Sequence, residues 1–63
     1  MTLTKNQQRE VSRTLAGLAV LGADFAARSL SALYRSARKD SQQREILAIA
    51  MVYGLVTNPE FII

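Results

Sequence analysis

Apolar residues recur at helical spacing over most of this chain, and its single proline, Pro59, lies near the C-terminus. At about 100° per residue, one broad face is apolar and the opposite face is polar. The phase holds across Gly22 and Asp24, where a break in the helix would reset it. Strand-like alternation is missing, so the pattern predicts an all-α fold with a first helix over about residues 5–38. The apolar face comprises Val11, Leu15, Leu18, Leu21, Phe25, Leu30, Leu33 and Ala37.

A second helix is predicted over about residues 41–57, after a turn at residues 39–40. The residue before a proline is pushed away from α geometry, so Asn58 and Pro59 end this helix and leave a tail over 58–63. Residues 46–56 are apolar without interruption, and a helix with no polar face is a buried helix. The whole chain, residues 1–63, is therefore predicted to be one helical domain, a hairpin of one long and one short helix.

Two features of this hairpin stay open to other interpretations. Gly17, Gly22 and Asp24 could end one helix and begin another, which would give three short helices, but the unbroken phase favours the long one. At 1.5 Å per residue, that helix would be close to 50 Å long. The tail is expected to fold back over the helices, with a free docking peptide as the alternative.

Helix starts are marked by capping-box spacings, in which the N-cap side chain and the side chain three residues later satisfy free backbone N–H groups. Thr4 with Gln7 forms the first and Asp40 with Gln43 the second. Each includes Gln-Gln-Arg-Glu in or just after its first turn, at residues 7–10 and 42–45. This similarity could be a relic of duplication, but good first-turn residues explain it more simply.

A hairpin of unequal helices leaves apolar surface uncovered, because the long helix hides only one side of the short one. Large exposed apolar surfaces indicate association. We therefore expect a twofold homodimer with a four-helix arrangement, in which each short helix covers the bare half of the partner's long helix. The candidate dimer interface comprises Val11, Leu15, Leu18, Ile46, Ile49, Met51, Tyr53 and Val56.

The composition argues against catalysis. The 63 residues include no Cys and no His, which removes thiol nucleophiles, nearly every zinc site and the commonest general base. The five carboxylates are scattered, and no serine has a base to activate it. We therefore predict no catalytic residues, no metal and no cofactor.

The N-terminal segment is polar, and neither apolar stretch reaches the roughly 20 residues that a membrane-spanning helix needs. A signal peptide and a transmembrane segment are accordingly not expected. With no Cys in the chain, the cytosol is the expected compartment.

Positive charge concentrates at the predicted turn, where Asp40 is the one opposing acid. The formal net charge is +3. Cations in the last turn of a helix favour its dipole, and a charged row opposite an apolar stripe is an ordinary solvated face, which is the favoured interpretation. The alternative is binding to the phosphates of a nucleic acid. A helix-turn-helix reader is disfavoured because the helix after the turn is apolar. The candidate nucleic-acid-binding residues are Arg35, Arg38, Lys39 and Arg44, and a second row contains Lys5, Arg9 and Arg13.

Taken whole, this small helical chain without Cys, His or Trp resembles small accessory proteins from the early regions of temperate lambdoid bacteriophages. The nearest fragments are Gln7-Gln8-Arg9-Glu10 and Gln42-Gln43-Arg44-Glu45. The resemblance implies a host-directed or developmental-switch role that acts through binding, and it carries over no site residues.

The sequence therefore predicts a non-enzymatic regulatory or protein-interaction module that acts as a homodimer. It would present a helical surface, or the tail Phe61–Ile63, to another protein. A nucleic-acid-binding dimer is the alternative, and peripheral membrane association is a third possibility.

Overall fold

The computed structural model describes residues 2–63, which form three α-helices and no strand. Helix α1 spans Lys5–Ala16, α2 spans Leu18–Ser36, and α3 spans Asp40–Val52. The all-α prediction is confirmed. So is the first capping box: Thr4 Oγ1 accepts from the Gln7 backbone N–H at 3.1 Å, and Gln7 Oε1 accepts from the Thr4 backbone N–H at 2.8 Å.

The prediction of one continuous helix over residues 5–38 is wrong. Gly17 (φ −82°, ψ −8°) separates α1 from α2, and Gly22 (φ 89°, ψ 169°) kinks α2 after its first turn. Glycine adopts such a positive φ without the penalty that a Cβ brings. The longest dimension of the molecule is 28 Å, well short of the 50 Å helix. The chain reverses at residues 17–22 while the segments on either side keep their helical phase, so periodicity alone did not reveal the bend.

The three helices run up, down and up. Gln7 Nε2, in α1, donates to Gln42 Oε1 near the start of α3 at 3.3 Å. Gln43 Nε2, in α3, donates to the Tyr34 carbonyl near the end of α2 at 3.1 Å. Helices α1 and α3 therefore begin at the end of the molecule where α2 finishes, which we call the turn end. The opposite end, where α2 begins and α3 finishes, carries residues 17–22, which we call the corner.

Helix α3 departs from its prediction at both ends. Asp40 does not cap it; the N-cap is Lys39, which makes no side-chain capping bond, and Asp40 lies in the first turn. The helix finishes at Val52 rather than near residue 57, because Gly54 takes a positive φ of 70°. A left-handed residue just beyond a helix reverses the chain. Residues 55–61 can therefore fold back along α2.

The core is small and contains many alanines. Ala26 and Ala27 of α2 are fully buried, which lets the neighbouring helices approach closely, and Leu30 fills the centre. Ser31 is buried too, and its hydroxyl donates to the Arg28 carbonyl at 3.0 Å. The buried apolar residues are Leu3, Val11, Ala26, Ala27, Leu30, Ala37, Ile46, Ala50, Leu55 and Phe61.

The C-terminal tail packs on α2 as far as Phe61. Asn58 Nδ2 donates to Asp24 Oδ1 at 2.9 Å, and Arg28 pairs with Glu60 at 3.0 Å. Phe61 is buried, whereas the last two isoleucines are exposed. The tail thus closes the core with one aromatic side chain.

Candidate functional site

Large apolar side chains are exposed where α2 begins and where α3 ends. Val20 and Val52 retain 84% and 80% of their accessible surface. Both segments lie at the corner end of the molecule, since the Asp24–Asn58 hydrogen bond ties the start of α2 to the chain that follows α3. We call this set the apolar end; it comprises Val20, Leu21, Met51, Val52 and Tyr53.

The eight residues predicted to form a dimer interface differ in their exposure in the structure. Most are covered wholly or partly by their own chain, because α1 folds back instead of extending. Buried residues are Val11 and Ile46; half-buried residues are Leu15, Leu18, Ile49 and Val56. Met51 and Tyr53 stay exposed. The prediction that the second helix is buried on all sides is wrong for its last turn, which faces away from the core.

Sequence reasoning missed two exposed residues at this end. Val20 lies off the apolar stripe of the predicted long helix, on a face that is exposed with or without the bend at Gly22. The bend places it at the same end of the molecule as the last turn of α3. Val52 belongs to the apolar run over residues 46–56 but is not among the candidate interface residues. The paired glycines Gly17 and Gly22 were the available signal for a corner.

Cations surround the turn end. Arg35 lies in the last turn of α2, Arg38 and Lys39 form the connection to α3, and Arg44 follows one turn later. All four are exposed. Over residues 2–63 the ion pairs are Arg13–Glu10 at 3.8 Å and Arg28–Glu60 at 3.0 Å, so these four cations have no acidic partner there.

The second basic row lies along the outer face of α1. Lys5, Arg9 and Arg13 line one open depression together with Gln8 and Ser12. Because α1 starts at the turn end, Lys5 adds to the positive charge of that end. The depression is open to solvent, and phosphate groups could approach its cations without displacing protein atoms.

Several acidic side chains are occupied by structural contacts. Glu10 and Glu60 pair with arginines, and Asp24 accepts the hydrogen bond from Asn58. In the described part of the chain, no three His, Cys, Asp or Glu side chains come together as a metal site would require. The arrangement therefore offers apolar contact at one end and positive charge at the other.

Comparisons of this chain with protein-family models, curated proteins and solved structures find no match. The resemblance to phage accessory proteins stays a prediction. Among the helices over residues 2–63, none has both the length and the apolar character to cross a membrane.

Proposed function

We propose that the protein is a non-enzymatic interaction module that works as a homodimer and associates through its apolar end. The observation that carries this proposal is the exposure of Val20 and Val52 beside three other large apolar side chains. Large apolar side chains that are exposed together at one end of a small protein favour an association site. A second copy can cover it by twofold symmetry, with the same surface facing itself.

The charge distribution supports this mode of association. The unpaired cations of the α2–α3 turn lie at the opposite end of a molecule 28 Å long. Electrostatic repulsion is screened over roughly 8 Å at physiological ionic strength. Two copies that meet at their apolar ends therefore keep their basic ends well beyond that distance.

Light scattering or sedimentation over a concentration series tests the proposal. Wild type is expected to change from monomer to dimer, and Val52→Gln to weaken the dimer at least tenfold, since Val52 is exposed and its replacement leaves the core intact. Ile63→Gln is the matched control, because Ile63 is 70% exposed but lies on the tail. A wild type that stays monomeric, or a Val52→Gln dimer as tight as wild type, contradicts the proposal.

Ile63→Gln also tests the tail. If this substitution weakens association and Val52→Gln does not, the tail is the docking element and the apolar end is not. The regulatory role that the phage resemblance implies would then act through a different surface. An affinity capture with each variant as bait identifies which surface a partner protein recognises.

Nucleic-acid binding at the turn end is the second candidate, and the unpaired state of Arg35, Arg38, Lys39 and Arg44 favours it. A gel shift at low salt tests it. Arg35→Ala with Arg38→Ala is expected to abolish the shift or lower the salt slope by about two, since each phosphate contact contributes about 0.9.

The matched control is a pair of single variants: Arg28→Ala removes one charge from an arginine that pairs with Glu60 and lies outside both basic surfaces, and Arg35→Ala removes one charge from the turn end. Equal loss in these two single variants would indicate a net-charge effect without a specific basic surface. No shift of wild type at low salt eliminates the candidate.

A further inference from the structure

We infer that the dimer forms by exchange of α1 between two copies, with the corner at residues 17–22 straightening into one long helix. This inference rests on the proposed homodimer and specifies how it is built. In the closed subunit α1 folds back on its own α2. In the exchanged dimer α1 of each copy occupies the same position on the other copy.

The first supporting observation is the backbone of Gly22. Its φ of 89° with ψ of 169° lies in a region that is essentially restricted to glycine and is strained for other residues. Nothing lies within 4 Å of a Cβ placed there, so the kink is not packed against other parts of the chain at that point. The backbone of this glycine makes the reversal, and the packing and hydrogen bonds of α1 hold it in place.

The second observation is the sequence pattern through the corner. The apolar phase of α1 continues into α2 without a slip, so a straight helix over residues 5–36 would carry one unbroken stripe. Leu21 belongs to that stripe between Leu18 and Phe25, yet it is 59% exposed in the closed subunit. The chain is therefore patterned for a helix that the closed subunit does not form, and most of the Leu21 side chain stays uncovered until the corner straightens.

The third observation is that the groove occupied by α1 in one subunit can accept the identical α1 of a second copy. Val11 and Thr14 of α1 are buried against the rest of the chain. Thr2 N–H donates to Glu45 Oε1 at 3.3 Å, and Gln7 bonds to Gln42 at 3.3 Å. An α1 from another copy would make the same contacts in the same groove. The exchange would also bring the two apolar ends together, because the corner becomes the crossing between subunits.

Cross-linking tests the exchange directly. The chain has no cysteine, so Thr2→Cys with Glu45→Cys supplies one unique pair for a short bismaleimide. In a closed subunit the link forms within one chain and the denatured product runs at 7.0 kDa. In an exchanged dimer the link joins two chains, and the product runs at twice that mass.

Substitution at the hinge gives a second readout. Gly22→Ala strains the closed subunit and favours the straight helix. Each Gly22 that straightens should therefore raise the association constant roughly tenfold. With two hinges, the association constant should rise on the order of 100-fold. Gly54→Ala is the matched control, because Gly54 also has a positive φ and open space around it but lies outside the corner. We expect that variant to associate like wild type.

The outcomes separate the two proposals. A wild-type dimer whose cross-link stays within one chain overturns the exchange and leaves the homodimer standing. A wild type that is monomeric at every concentration overturns both the homodimer and the exchange. If Gly22→Ala fails to fold by circular dichroism, the cross-link in the wild-type background decides. Small-angle scattering should give the exchanged dimer a maximum dimension of at least about 48 Å, the length of a 32-residue helix.

Discussion

Two leucines of the same helix should differ sharply in their effect on stability. Leu30 is fully buried in the core, whereas Leu21 keeps 59% of its surface exposed at the corner. Each is replaced by alanine in the otherwise unchanged chain. Leu21→Ala is the control for Leu30→Ala, because the same substitution in the same helix changes the helix propensity by the same amount.

The expected magnitudes follow from burial. Removing a fully buried leucine costs about 2–5 kcal/mol, the lost transfer energy plus the cavity left behind. Leu21 hides about two fifths of its surface, which corresponds to roughly 0.6–1.2 kcal/mol at 1.5–3 kcal/mol for full burial. A chain of 63 residues has a total stability of about 3–9 kcal/mol at 0.05–0.15 kcal/mol per residue. Leu30→Ala therefore removes a large share of the stability, and Leu21→Ala removes a small one.

Urea unfolding followed by circular dichroism measures both variants. The protein concentration is kept below the point where any dimer forms, so that only the subunit is measured. We expect a clear fall in the urea midpoint for Leu30→Ala and a shift at most half as large for Leu21→Ala. If Leu21→Ala costs as much as Leu30→Ala under these conditions, the corner is not exposed in the isolated subunit and the closed fold is refuted.

Three further substitutions probe other parts of the fold. Thr4→Ala removes the hydroxyl that accepts from the Gln7 N–H and should cost about 1 kcal/mol, measured as a lower melting temperature with less helical signal. Arg28→Ala breaks the partly exposed pair with Glu60 and should cost less than about 1 kcal/mol, with a difference from wild type that narrows as salt is added. Phe61→Ala opens the covered side of α2 and should cost about 3 kcal/mol, so a chain as stable as wild type in urea would show that the tail does not belong to the core.

The sequence was sufficient for the helical class and the first helix start. Local chemistry decides both: the composition favours helix, and Thr4 with Gln7 satisfies free N–H groups without help from distant residues. Asp40 with Gln43 has the same spacing but not the same outcome, because the chain enters α3 with Lys39 as the N-cap. Spacing predicts a capping box, whereas the path of the preceding turn decides whether it forms.

The bend at residues 17–22 is the alternative that the periodicity disfavours, and there is a physical reason why periodicity misleads here. Periodicity reports which residues share a face of a helix. The same periodicity is found when two shorter helices, joined by a bend, bury that face against each other. Whether folding back stabilises the chain depends on how well α1 packs on α2 and α3, which is a tertiary property. The predicted dimer interface is therefore partly wrong. Val11 is buried by its own chain, and Val20, which is outside the predicted interface, is exposed.

The cations of the turn end and the exposed side chains of the apolar end lie at opposite ends of the molecule, which is therefore a small amphiphile. A polyanion that captured it would hold the turn end and leave Val20 and Val52 pointing outward. Molecules gathered in this way along one surface would present their apolar ends at a local concentration far above that of the surrounding solution. Self-association would then be governed by where the protein is captured as much as by how much of it is made.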